Sequence, residues 1–459
     1  MNFGNRLLLV ISFCLLAAGC NPSGMITARR TDTATLTPTL TVPPSTATPT
    51  PTHTPTANAT PAELSLEAAV ADVVSALSGD SSRNVLVLVH PDLYHGLADE
   101  LAVLETDLLS ENWHPVISPF PTDSAQEMRQ ALQTIYSRRT FGGIFLIGDF
   151  PYVRLWGYEI QDGNQPGPSD FFYMDLDGEW LDTNGDSFYD IHSNGQGSRG
   201  PEVFVGRMDG SGVTLLGQSE LEMAKTYLHR DHAYRTGNLP TVNAAVYAAP
   251  ADHYYGWVDP ASAGWAQHEI QSLQGLFGDT YAFIYDPTKE SSDEWTSEFW
   301  RVGSAEEKTD APAKGRFFEI MGRGYDYLSI GIHSWEKAWG GDFFTNRDAA
   351  EVSENGGQIP VFIFSGACSA AKFSSANSVG GTLTMSGALV LLGFSASSEM
   401  TWEEFVLWNN SLAKYAAGPA IQILQKAATP SGSGPVTRNV NWVLLGDPTL
   451  MLRAVDTEH

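Results

Sequence analysis

Eight short apolar runs, rich in β-branched residues and bounded by turn formers, constrain this chain more than any other feature. They are Asn84–His90, Gly143–Gly148, Glu202–Gly206, Val242–Ala248, Ala282–Tyr285, Tyr327–His333, Pro360–Ser365 and Ala388–Phe394. Most are continuously apolar, not alternating, which is the pattern of strands buried on both faces. Amphipathic stretches with a helical period lie between them, as in Leu97–Leu109, Ala125–Tyr136 and Leu215–Tyr234. This alternation predicts an α/β sandwich around a mostly parallel sheet. Ligands in such sheets bind beyond the carboxyl ends of the strands. His90, Asp149, His333 and Cys368 all stand at or just past such an end, so they are expected to share one rim.

The cysteines sharpen that expectation. Cys14 lies in the apolar N-terminal segment and Cys20 directly after it, which leaves Cys368 alone in the rest of the chain, without a partner for an internal disulfide. The thiol follows a buried run in Phe364-Ser365-Gly366-Ala367-Cys368-Ser369-Ala370. Small neighbours let a substrate carbonyl and backbone N–H groups approach the sulfur. A nucleophilic thiol needs a base within reach. His333 ends the preceding run, in Ser329-Ile330-Gly331-Ile332-His333-Ser334-Trp335, and adjacent parallel strands would bring the two together. The same residues also fit a buried small hydrophobe and a packed histidine. His90 is the rival base, although Pro91 after it restricts its backbone and favours a structural role.

The segments GIFLIGDFPYV, GPEVFVGRMDG, SIGIHSWEKAWGG, IPVFIFSGACSA and VLLGDPTLMLR, taken in this order, resemble the gingipain-type cysteine peptidases of the caspase and haemoglobinase clan. The resemblance covers roughly residues 84–453 and implies a caspase-like α/β/α sandwich with a histidine–cysteine dyad on neighbouring strand ends. On the matching motifs it makes Cys368 the nucleophile, His333 the general base and Glu202 the acid that orients the histidine. The backbone N–H groups of Cys368 and Ser334 would hold the oxyanion, with Ser334 standing where the family has glycine. Trp335 and Trp339 flank the histidine and are expected to wall the substrate cleft. The implied reaction is peptide-bond hydrolysis through a thioester, with no cofactor in the chemistry. A catalytically degenerate binding protein on the same fold is the alternative, because fold does not guarantee activity.

An N-terminal leader precedes all of this. Arg6, the apolar run Leu7–Leu16 and Leu16-Ala17-Ala18-Gly19-Cys20 read as a lipoprotein signal over 1–19, with Cys20 lipidated after cleavage. Residues 20–62 are almost entirely Thr, Pro, Ala and Ser, a composition with no apolar face to bury, and are expected to form a disordered stalk. The folded part is then 63–459, with a subdomain boundary expected near 236–241. These features place the protein outside the cytoplasm, held to a bacterial membrane through its lipid alone. A net charge of −27 argues against nucleic acid as a partner, and the resemblance implies protein or peptide substrates. Asp182, Asn184, Asp186 and Asp190 fall at positions 1, 3, 5 and 9 of an acidic loop, an oxygen spacing suited to a structural Ca²⁺. An ordinary Asn-Gly turn in a solvated loop fits the same residues.

Overall fold

The computed structural model describes residues 65–155 and 166–453, apart from 187, 196, 257–259, 290, 305–308, 398–399, 430–433 and 437. The signal, Cys20 and the stalk therefore lie outside the described residues.

Twelve strands form the central sheet. In chain order they are β1 (Asn84–Val89), β2 (His114–Pro119), β3 (Gly143–Ile147), β4 (Phe204–Met208), β5 (Val242–Pro250) and β6 (Thr280–Asp286). β7 (Thr296–Arg301), β8 (Thr309–Pro312), β9 (Tyr325–Ile330), β10 (Phe362–Ser365), β11 (Val390–Phe394) and β12 (Trp442–Gly446) complete it. Their order across the sheet is β8-β7-β6-β5-β9-β10-β11-β12-β4-β3-β1-β2. The chain fills one half first, crosses after the helix Glu220–Arg235, fills the other half, and returns with β12 to join the two.

All eight expected runs overlap a strand of the sheet, and both faces of the sheet are covered. Along β5, Ala244, Val246 and Ala248 pack in one core with Phe317, Val352 and Leu383 of three helices. Ala245, Tyr247 and Ala249 face the opposite core, with Ile270, Leu273 and Trp408 of two others. This is the α/β/α sandwich that the resemblance implies. Four sheet strands lie outside the expected eight, namely β2, β7, β8 and β12, and two of them have plain causes. β2 is an edge strand carrying His114, Pro115 and Pro119, and β12 is a five-residue run entered from a 3₁₀ turn.

Strand direction decides where a site can be. β5, β6, β9, β10 and β11 are mutually parallel across their pairings. β12 runs antiparallel to β11, with Val390 opposite Gly446 and Phe394 opposite Trp442. β4 is parallel to β12, and β3, β1 and β2 follow it. The two halves therefore point in opposite directions. The carboxyl ends of β1 and β3, with His90 and Asp149, lie on the rim opposite His333 and Cys368. The expectation of a single shared rim is thus corrected. A run of apolar residues records burial but not which way its strand points. His90 instead caps the short helix Pro91–Tyr94, its ring nitrogen accepting the Asp92 N–H at 3.4 Å.

Candidate active site

β9 and β10 are neighbours in parallel register, with Ile330 beside Ser365. His333 and Cys368 are each the third residue past that last pair, so they leave the same rim from adjacent strands about 4.8 Å apart. The histidine is exposed, and Cys368 is half-buried and outside any disulfide. Two backbone bonds align the exits: Gly331 N–H donates to Ala248 O on β5, and Gly366 N–H donates to Ile330 O. A direct link joins the two segments beyond the strands, where the Ser334 hydroxyl donates to the carbonyl oxygen of Cys368.

Past His333 the chain turns into a hairpin, with Ser334 opposite Trp339 and Trp335 opposite Ala338. Gly340 N–H donates to His333 O at 2.7 Å, so 333 and 340 form a hydrogen-bonded pair. Pairs alternate along an antiparallel ladder, so Ser334 and Trp339 form the other kind and the Ser334 N–H points away from its hairpin partner. That amide is therefore directed outward beside the histidine. Past the sulfur, Ser369 adopts a left-handed φ of 54°, and its N–H donates to Ala396 O at 3.0 Å. The site thus joins a thiol, an imidazole and an outward N–H, the parts that acyl transfer requires.

The strand on the other side of β9 supplies a carboxylate. β5 pairs with β9 (Ala248 beside Ile330) and ends at Pro250, and Asp252 stands two residues further on. Asp252 is half-buried, caps the N–H of His253, and acts on the Tyr285 phenol, which burial first and this carboxylate second hold well above its usual range. The Tyr285 hydroxyl in turn donates at 2.7 Å to Gly331 O, two residues before His333. Sequence reasoning missed Asp252, although it follows a buried run as closely as His333 does.

The family model of peptidase family C25 matches residues 114–453, well over half of the chain. The chain belongs to peptidase family C25. Among solved structures, this C25 chain resembles the Arg-specific cysteine proteinase gingipain R, with a TM-score of 0.53 at 13% identity, over 82% of this chain and 79% of that one. It also resembles the complex of the pro- and mature domains of RgpB from Porphyromonas gingivalis, with a TM-score of 0.53 at 14% identity, over 81% of this chain and 80% of that one. At such identities the likeness shows a shared fold. No curated protein sequence matches the chain.

Two expected site assignments, Glu202 and Trp339, are placed differently in this C25 fold. Glu202 precedes β4, four strands from β9, about 19 Å across the sheet and out of hydrogen-bond reach of His333. Its carboxylate instead accepts the N–H groups of Leu176 at 2.7 Å and Asp177 at 3.4 Å. Trp339 is fully buried against Phe317 and Phe344, so it packs the core and walls no cleft. Trp335 remains at the surface, 47% exposed, with its indole N–H on Gly341 O. The acidic loop is drawn into local turns. Asp182 accepts the Gly185 N–H at 2.7 Å, Asn184 that of Asp186 and Asp186 that of Phe188, while Asp190 takes both the N–H and the hydroxyl of Thr183.

Among the described residues, the carboxylates that gather as ion ligands would are others: Asp175, Asp177 and Glu202, with oxygens within 4.8 Å of one another. Asp175 is fully buried and hydrogen-bonds His192 at 2.7 Å. Burial first, then Asp175 and Asp177, push the Glu202 carboxyl up to about 7. The Arg129 guanidinium closes this corner by donating to the carbonyls of Phe172, Asp175 and Gly178.

Proposed function

We propose that the protein is a cysteine endopeptidase whose reacting pair is Cys368 and His333. The observation that carries this is the matched exit of both residues from adjacent parallel strands, tied together beyond the sheet by Ser334. His333 takes the thiol proton, and the sulfur attacks the scissile carbonyl carbon. The N–H groups of Cys368 and Ser334 hold the oxyanion, an interaction on the order of 3 kcal/mol per donor. The tetrahedral adduct collapses as His333 protonates the leaving amine, and water, deprotonated by the same imidazole, hydrolyses the thioester. Asp252 takes the orienting role expected of Glu202, since it follows the strand end beside that of His333.

Incubation of the purified protein with a peptide library tests this reading. Cleavage should stop when iodoacetamide alkylates Cys368, with the adduct located by mass spectrometry. Cleavage that persists in a folded Cys368→Ala variant would remove it.

We also propose that the domain is displayed from a membrane by lipid on Cys20, on the strength of the leader and stalk composition. Among the described residues no helix is long and apolar enough to cross a membrane. Cys20→Ser should shift the protein from the detergent phase to the aqueous phase on partitioning, and an unchanged distribution would contradict the anchor.

A further inference from the structure

Position 334 carries a side chain whose contact ties the two reacting segments together. The Ser334 hydroxyl donates to the Cys368 carbonyl oxygen. That oxygen belongs to the peptide unit joining Cys368 to Ser369, and the N–H of the same unit donates to Ala396 O. Both polar ends of one peptide plane are therefore held, one from the histidine segment and one from the loop after β11. The plane needs holding, because Ser369 on its far side sits at a φ of 54°, the left-handed region that a side chain disfavours. Rotation of this plane would relax Ser369 and release the Cys368 carbonyl from Ser334, loosening the backbone from which the sulfur projects.

The neighbouring tethers act on other parts of the turn. Gly366 N–H on Ile330 O holds the strand exit, and Ala371 N–H on Phe394 O holds the chain after the turn. Val379 N–H donates to Glu336 O at 2.7 Å and joins the tip of the histidine hairpin to the helix after the turn. Among these tethers only the Ser334 bond runs from the residue beside His333 to the nucleophile's own peptide.

We propose that Ser334 is a positioning residue, its hydroxyl latching the Cys368–Ser369 peptide so that the sulfur stays aligned with His333. This inference rests on the Cys368–His333 reading above. The latch acts on alignment during the chemical step, so it governs kcat more than KM. Misplacing a reacting group by about 1 Å costs on the order of 100-fold.

The test compares Ser334→Ala and Ser334→Thr in the full chain. Two readouts are needed, peptide hydrolysis and the rate of iodoacetamide alkylation at Cys368 across pH, with folding checked by Tm. Ser334→Ala should lose about 10- to 100-fold in kcat with KM within about twofold, and its alkylation profile should move away from that of the wild type. Ser334→Thr keeps the hydroxyl and should restore most of both. Wild-type kcat in Ser334→Ala would overturn the latch. So would an unshifted alkylation profile in Ser334→Ala, or an equal loss in folded Ser334→Thr. Failure of the underlying reading has a different signature, namely full peptide hydrolysis by Cys368→Ala.

Discussion

The two halves of the sheet are built alike and used differently. Each has a core of parallel strands with helices on its faces, to which the second half adds the antiparallel edge strand β7 with β8 beyond it, and in each half the parallel strands lead into polar residues. In the first half those ends carry His90, Asp149 and Asp209; in the second they carry Asp252, His333 and the nucleophile candidate Cys368. Because β12 joins the halves with opposite directions, the two sets sit on opposite rims. Strand-end chemistry is therefore necessary but insufficient for a site. What distinguishes the second half is register: His333 and Cys368 leave neighbouring strands at the same height, whereas His90 turns back to cap its own helix.

Exchanging roles between the rims gives the largest expected contrast. His333→Ala should lose about 10³-fold or more in kcat/KM for the best library peptide, while folded His90→Ala should stay within about twofold. Comparable losses in the two variants would erase the distinction between the rims. Asp252→Asn is expected to cost less, about 10- to 100-fold in kcat, because the carboxylate orients the base without reacting. Glu202→Gln should leave kcat unchanged within about twofold, and a large loss there would return the orienting role to Glu202.

The smallest effect concerns stability in the corner around Glu202. Its folded carboxyl is raised from the ordinary 4.5 to about 7, so the native state holds this proton more tightly than the unfolded chain does. Native stability from this group is then greatest below 4.5, falls as pH rises from 4.5 to about 7, and stays reduced above. Glu202→Gln should therefore raise Tm at pH 8, by an amount equivalent to about 1 kcal/mol after allowing for partial exposure. Near pH 5 it should change Tm little. An equal shift at both pH values would assign the effect to packing, not ionisation.

Much of this was legible in the sequence, and the failures share a cause. Apolar runs such as Val85–Val89 and Val361–Phe364 announced buried strands because burial on both faces leaves no polar period. Cys368 and His333 stood out because small residues and a strand end framed each. Direction did not, since it depends on how β12 closes the sheet. Glu202 was singled out and Asp252 passed over for the same reason: strand order across the sheet, not distance along the chain, decides which carboxylate follows the strand beside that of His333. Trp339 misled because flanking a site in sequence is not facing it: Ala338 and Trp339 are both fully buried in the core. The Ser334 contact depends on a hairpin turn and a positive φ, neither of which composition encodes.

The central claim is that Cys368 and His333 act as one unit, and a double-mutant cycle tests it directly. The measurement is kcat/KM of folded Cys368→Ala, His333→Ala and the double variant on one library-selected peptide. Members of a catalytic unit are strongly non-additive. Each single substitution should therefore bring the rate close to the floor, and the double variant should be no more than about threefold worse than either. If the two losses multiply, or if His333→Ala keeps substantial turnover while Cys368→Ala does not, the pair is not a unit and the account is wrong.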